Sequence, residues 1–254
     1  MIPLRDQDYI RQLFERELEG RVKIDYFTQR ASRIIVPGRE DCVGCEDTRK
    51  LLEELSALSE KITLTVRELA DEPEEAKKLK VDRVPGIVVR GQANRALRFF
   101  GAPSGNEFPN FVETVVEASK AKVELGAEAA KQLKRLKDRV SIAVYVTPTC
   151  PYCPQVVRAA YRLALASAHV EAVAIEISQF PRLSQQLGIR SVPLTVLNDE
   201  TAIAGALDEA ALVEAVLKVA EGKDVSAPAA GDSTSIVDAP QAAPSAPSGL
   251  ILPR

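Results

Sequence analysis

Two cysteine pairs carry most of the chemistry available to this chain: Cys42-Val-Gly-Cys45 and Cys150-Pro-Tyr-Cys153. Two chemistries use the C-x-x-C spacing. In thiol–disulfide exchange, the first cysteine sits at the start of a helix, where unpaired backbone N–H groups and the helix dipole stabilise a thiolate. The second lies one turn along the same face and is close enough to close an internal disulfide. In the other chemistry, two C-x-x-C knuckles give four thiolates to one structural zinc. Zinc knuckles usually lie within about 15–20 residues of each other, whereas these pairs are 108 positions apart. The spacing therefore favours redox chemistry. Pro151 is expected at the first helical position, where its missing N–H costs nothing, and Pro154 within the first four donors. That start would present Cys150 at the helix tip.

The surroundings of the two pairs differ in charge. Glu40, Asp41, Glu46 and Asp47 flank the first, partly offset by Arg39, Arg49 and Lys50. No carboxylate falls between Ile142 and Arg162, and Arg158 lies on the second helix. Negative charge disfavours a thiolate, so Cys150 is expected to be the more acidic thiol and the main substrate-facing nucleophile. The single histidine, His169, just before a strand, reads as a surface or satisfied polar residue.

These pairs must be held by a fold, and composition bounds it. The chain has 254 residues, a net charge of −3, 46% hydrophobic and 27% charged residues, which suits an ordinary globular protein of two domains. That charge gives no electrostatic basis for binding nucleic acid or an anionic membrane. No apolar run approaches the roughly 18 residues of a membrane span. The amino terminus carries acids and arginines where a signal peptide would be apolar, so a cytoplasmic location is expected. Four cysteines are too few for a disulfide-stapled secreted fold.

Periodicity predicts a helix over 6–19, a strand at 21–27, a short apolar run at 33–36 and a helix from Cys42. A strand at 62–66, a helix at 73–80, strands at 86–90 and 95–100, and a helix over 108–119 follow. The second half repeats this order, with strands at 140–146, 170–177, 193–197 and 201–204 and helices from Cys150, near 181–187 and over 208–221. Cys42 and Cys150, Cys45 and Cys153, and Pro85 and Pro193 are each 108 positions apart. Three landmarks in one register mark an internal duplication. The polar stretch 120–139 is expected to bridge the halves as helix. The expected division is a first unit over 1–122, a second over 123–223, and an Ala/Pro/Ser-rich tail, 224–254, too poor in apolar surface to fold. Leu250-Ile251-Leu252 in that tail could dock on a partner, although a solvated tail is the plainer reading. The Val84-Pro85 and Val192-Pro193 dipeptides read on their own as ordinary strand openings.

A C-x-x-C at a strand–helix junction with a Val-Pro opening a later strand resembles the thioredoxin and glutaredoxin fold. With the duplication, YVTPTCPYCP at 145–154 and FGAPSGNEF at 100–108, the chain is similar over residues 5–221 to the two-domain protein disulfide oxidoreductases of thermophilic prokaryotes. The resemblance implies an α/β fold: two tandem thioredoxin-like units, each a mixed central sheet flanked by helices, with a disordered carboxy-terminal tail. It implies an enzyme that reduces, oxidises or isomerises protein disulfides, fed by a thioredoxin-reductase-like donor. No metal or cofactor is needed beyond the redox-active disulfides Cys42–Cys45 and Cys150–Cys153. Cys42 and Cys150 would be the nucleophiles, Cys45 and Cys153 the resolving thiols. Pro85 and Pro193 would be cis-prolines guiding substrate together with Val84 and Val192.

The chain departs from the pattern in two places. Thioredoxin carries an acid six positions before its first cysteine, where this chain has Val36 and Val144. CPYC is also the glutaredoxin motif, but Gly205 and Asp208 only partly match the glutathione-binding segment. A dedicated electron carrier to a peroxidase, docking through the tail, and a non-catalytic zinc scaffold are the competing readings.

Overall fold

The computed structural model describes residues 2–30, 41–223, 225 and 235–238. The apolar run at 33–36, and with it Val36, Arg39 and Glu40, lies outside the described residues.

In the first half, helix α1 (Leu4–Glu17) leads into strand β1 (Val22–Thr28), α2 (Cys45–Ser56), β2 (Ile62–Glu68), α3 (Pro73–Leu79), β3 (Gly86–Arg90), β4 (Leu97–Phe100) and α4 (Glu107–Ala118). The join holds one short helix, α5 (Ala127–Leu133), while residues 121–125 are not helical, so only part of the bridge expected over 120–139 forms. The second half then runs β5 (Val140–Val146), α6 (Cys153–Ala166), β6 (Val170–Glu176), a 3-10 turn (Ile177–Gln179), α7 (Pro181–Gln186), β7 (Leu194–Leu197), β8 (Thr201–Ala204) and α8 (Glu209–Ala220).

Strand alternation sorts the core into two layers, because successive side chains point to opposite faces. Ile24, Tyr26, Ile87, Val89, Leu97, Phe99, Ile142 and Val144 face α1, α2, α4, α6 and α8, which contribute Phe14, Leu52, Phe111, Val156 and Leu212. Phe27, Val88, Phe100, Tyr145, Val173 and Ile175 face the other way, onto Ala76 and Leu79 of α3 and Leu183 of α7.

The two halves share one sheet, in the order β2-β1-β3-β4-β6-β5-β7-β8-β9, the last strand being Ser235–Asp238. The seam is a parallel pairing of β4 with β6, from Leu97↔Ala172 to Phe100↔Ile175. Helical bridging alone would have left each half with an open strand edge, and pairing satisfies those N–H and C=O groups. Within each half the pattern repeats: β1 is parallel to β2 and antiparallel to β3, and β5 is parallel to β6 and antiparallel to β7.

The tail differs from expectation in one segment. Ser235–Asp238 forms β9, antiparallel to β8 from Thr201↔Asp238 to Ala204↔Ser235. Adjacent β-branched residues, Ile236 and Val237, suit a strand, and β8 would otherwise be an open edge. Val225 is also described, and buried; the other tail residues, including Leu250–Leu252, lie outside the described residues.

Candidate redox sites

β1 and β5 run in the same direction, because β1 is antiparallel to β3, β3 to β4, and β4 is parallel to β6 and β6 to β5. A helix joining two parallel neighbours starts at the carboxy-terminal end of the first. The amino-termini of α2 and α6, and both cysteine pairs, therefore lie at the same end of the sheet. β1 and β5 stand four strand steps apart in the order, or roughly 19 Å at about 4.8 Å per step.

Each pair is closed as a disulfide, with Cα–Cα distances of 5.4 Å for Cys42–Cys45 and 5.5 Å for Cys150–Cys153. Each sits at its own strand–helix junction, so the four sulfurs do not converge on one centre. Among the described residues no group of three or more His, Cys, Asp or Glu is placed to hold a metal ion.

The second site is the more fully described. α6 opens at Cys153, not at Cys150, so Pro151 precedes the helix and only Pro154 occupies its first turn. Cys153 is fully buried and Cys150 is 8% exposed. The Cys153 backbone N–H donates to Cys150 Sγ at 3.1 Å, which puts one of the orphan helix donors on the outer sulfur. The carbonyl oxygen of Val192 lies 3.8 Å from that sulfur, and the Val192-Pro193 bond is cis. Tyr152, between the cysteines, is 63% exposed.

The first site repeats this plan with differences. α2 opens at Cys45, which is buried, with Gly44 as its cap and Val43 94% exposed. The Val84-Pro85 bond is cis. Thirteen residues separate Thr28 from Cys42, against three between Val146 and Cys150. Counting six positions back from Cys42 therefore lands in that longer connection, on Val36. By strand position the residue matching Val144 is Tyr26, the fifth of its strand. Its hydroxyl donates to the Cys45 carbonyl at 2.6 Å, and burial pushes its pKa up to about 12.

Space also changes the charge reading. Asp41, Glu46 and Asp47 are all exposed, and Glu46 pairs with Lys50 at 3.4 Å. Arg158 is held by Glu113 and Glu117 of α4. The second site is not without acids either, because α4 folds onto it. The Asn106 N–H donates to the Pro148 carbonyl at 2.9 Å. Gly105, at φ +58°, makes that approach possible, since a Cβ there would stand 2.4 Å from the Pro148 oxygen.

Next to this contact, Glu107 is 1% exposed. Asn110 Nδ2 donates to its Oε2 at 3.1 Å, and Oε1 has no partner among the described residues. Burial raises its pKa to about 7 against the lowering effect of the Asn110 bond. The segment that holds it carries part of the family resemblance, but sequence reasoning does not pick out Glu107 as a site residue. The one signal for it is an acid three residues before Asn110 at the opening of a helix that otherwise buries Phe111, Val112 and Val115.

His169 stands before β6, at the opposite end of the sheet from both pairs, and lines a cleft of about 610 Å³ with Val123, Leu133 and Leu165. No helix among the described residues is long and apolar enough to cross a membrane.

A thioredoxin-domain family model matches residues 140–218. A thioredoxin of Methanocaldococcus jannaschii is 33% identical over 81 residues, 32% of this chain and 95% of that protein. The AhpF component of alkyl hydroperoxide reductase from Xanthomonas campestris pv. phaseoli is 30% identical over 161 residues, 63% of this chain but 29% of that protein. The chain thus spans under a third of that relative's length. Among solved structures, the NTD_N/C domain of the Enterococcus faecalis alkylhydroperoxide reductase AhpF superposes with a TM-score of 0.75 at 27% identity, covering 85% of this chain and 100% of that one. A protein disulfide oxidoreductase from Aeropyrum pernix K1 shares the fold, with a TM-score of 0.75 at 24% identity over 89% and 97% of the two chains. With its repeated strand order, its two C-x-x-C disulfides at helix starts and these relatives, the chain belongs to the thioredoxin superfamily.

Proposed function

We propose that the chain is a protein-disulfide oxidoreductase with two redox sites, one in each half, the halves dividing near residue 122. Cys150 and Cys42 are the nucleophiles, Cys153 and Cys45 the resolving thiols. Val192-Pro193 and Val84-Pro85 guide the substrate chain, and the electrons travel in the two disulfides with no bound cofactor. The observation that carries this reading is the setting of Cys150 Sγ, which receives the Cys153 N–H at 3.1 Å and lies 3.8 Å from the Val192 carbonyl. A sulfur held this way is stabilised as a thiolate and faces the backbone along which a substrate strand would lie.

In the reductive direction the Cys150 thiolate attacks one sulfur of a substrate disulfide, forming a mixed disulfide and releasing one substrate thiolate. Cys153 gives its proton to Glu107 and attacks Cys150 Sγ, closing the internal disulfide and releasing the second thiolate. The substrate gains two electrons and leaves as two thiolates, which take protons from Glu107 and from water; the cysteine pair loses two electrons and the Cys153 proton. A buried carboxyl with a pKa of about 7 suits that exchange near neutral pH. The reverse sequence inserts disulfides.

A second reading has one supporting observation. Several relatives are AhpF components of alkyl hydroperoxide reductases, so the chain would serve as electron carrier to a peroxidase, recharged by a thioredoxin-reductase-like donor. Insulin reduction tests the proposal: Cys150→Ser is expected to lose most turnover, and full-rate turnover by that variant would reject Cys150 as the principal site. Turnover confined to a peroxidase partner would favour the second reading.

A further inference from the structure

The seam between the halves places a side chain of the second half on the first redox site. Gln179 ends the 3-10 turn Ile177–Gln179, and that turn is fixed by Glu176, whose Oε1 accepts from the Ser178 N–H at 2.9 Å and from the Ser178 hydroxyl. Two glycines of the first half clear the space Gln179 fills. A Cβ on Gly44, between the cysteines of the first pair, would stand 2.5 Å from Gln179 Oε1. A Cβ on Gly101, at φ +101°, would stand 2.8 Å from Glu176 Cβ and 3.7 Å from Gln179 Cδ. The Gln179 amide oxygen is buried and has no hydrogen-bond partner among the described residues. Leaving such an acceptor unsatisfied disfavours the state that does so.

The first site is closed as a disulfide, a form that offers no S–H donor. Its reduction breaks the S–S bond, takes two electrons and two protons from a dithiol or from two thiol molecules, and leaves two thiols at the CVGC turn. We propose that Gln179 is a positioning residue for the first redox site, an acceptor supplied by the second half that is satisfied only when Cys42–Cys45 is reduced. It therefore biases this couple toward the dithiol; at the second site the acceptor beside Cys150 Sγ is the Val192 carbonyl, 3.8 Å away and in the same half. The inference rests on the reading that Cys42–Cys45 cycles.

The test is equilibration of the full chain against glutathione buffers, with each pair followed by thiol alkylation and mass spectrometry, in the natural background and with Cys150 and Cys153 changed to Ser. Gln179→Leu keeps the bulk and removes the acceptor. It is expected to make Cys42–Cys45 about fivefold harder to reduce, the value of one ordinary hydrogen bond, and to leave Cys150–Cys153 unmoved. Gln179→Glu keeps the acceptor and is expected to stay within twofold of the unsubstituted chain. A change below twofold in Gln179→Leu, a change of opposite sign, or an equal shift of both couples overturns the inference while leaving the proposed function standing. Failure of both pairs to take up electrons in the unsubstituted chain overturns both.

Discussion

The Tyr26 hydroxyl donates a 2.6 Å hydrogen bond to the carbonyl of Cys45, the residue that opens α2. In the second half the same strand position is Val144, fully buried and without a polar atom to offer α6. One helix start is thus tied to the strand beneath it by a phenol, and the other is not tied in this way. Replacing Tyr26 with Phe leaves the Cys45 carbonyl without that donor. It should lower stability by about 1–2 kcal/mol, measured by urea denaturation, with a larger loss of first-site than of second-site exchange.

If Glu107 takes the Cys153 proton as proposed, it gives the second site a pH signature. Its folded pKa of about 7 exceeds the ordinary carboxyl value, so the native state holds its proton more tightly than the unfolded chain. Stability from this group is complete below about pH 4.5 and falls as pH rises to 7, by about 3 kcal/mol in all. Glu107→Gln should therefore melt higher than the natural chain at pH 8, with little difference at pH 4. The same variant should slow insulin reduction by about tenfold or more and flatten the rise in rate through pH 7. A variant with an unchanged pH–rate profile would remove Glu107 from the proton path.

The two proposed nucleophiles, Cys42 and Cys150, should differ in acidity. Cys150 receives a helix-start N–H, while exposed Asp41 and Asp47 stand beside the first pair. Thiolate absorbance of Cys45→Ser and Cys153→Ser variants should show Cys150 ionising at lower pH than Cys42. The reverse order would make the first site the stronger nucleophile.

A third acid tests the scaffold without touching either site. Asp25 is fully buried on β1, bonded by Arg67 at 3.0 Å and Arg90 at 2.5 Å, with Lys23 at 3.5 Å. Burial alone would raise its pKa, but the two guanidinium bonds and the nearby cations outweigh it and hold the carboxyl below the usual range. Its contribution is thus present above the ordinary aspartate pKa and lost as pH falls through the lowered one. Asp25→Asn leaves two half-buried guanidinium groups facing a neutral amide, Arg67 keeping Glu72, and should cost about 1–3 kcal/mol at pH 7. The loss should shrink in acid melts.

Most elements are legible in the sequence because their signals are local. The α6 stripe of Val156, Val157, Ala160 and Leu163, and the alternation in β5, state period and face directly. The α/β order and the duplication follow from repeated landmarks. Relationships made only in space are not legible. The β4–β6 seam joins residues far apart in the chain and has no motif. The count that places Val36 under the first cysteine assumes equal connections, but the one after β1 is longer. Glu107 reads as one more acid until α4 packs against the Pro148 loop and removes it from water. The expected start of α6 at Cys150 comes from Pro151, yet proline tolerates the preceding turn equally well.

The β4–β6 pairing has a consequence for how the molecule can come apart. If the chain were severed between α4 and β5, each fragment would bare a hydrogen-bonding ribbon, Leu97–Phe100 on one and Val170–Glu176 on the other. Buried apolar side chains such as Phe99 and Ala174 line both ribbons, and surfaces of that kind recruit foreign strands. Clumping of the isolated pieces, and one shared melting event for the intact chain, are what that ladder entails.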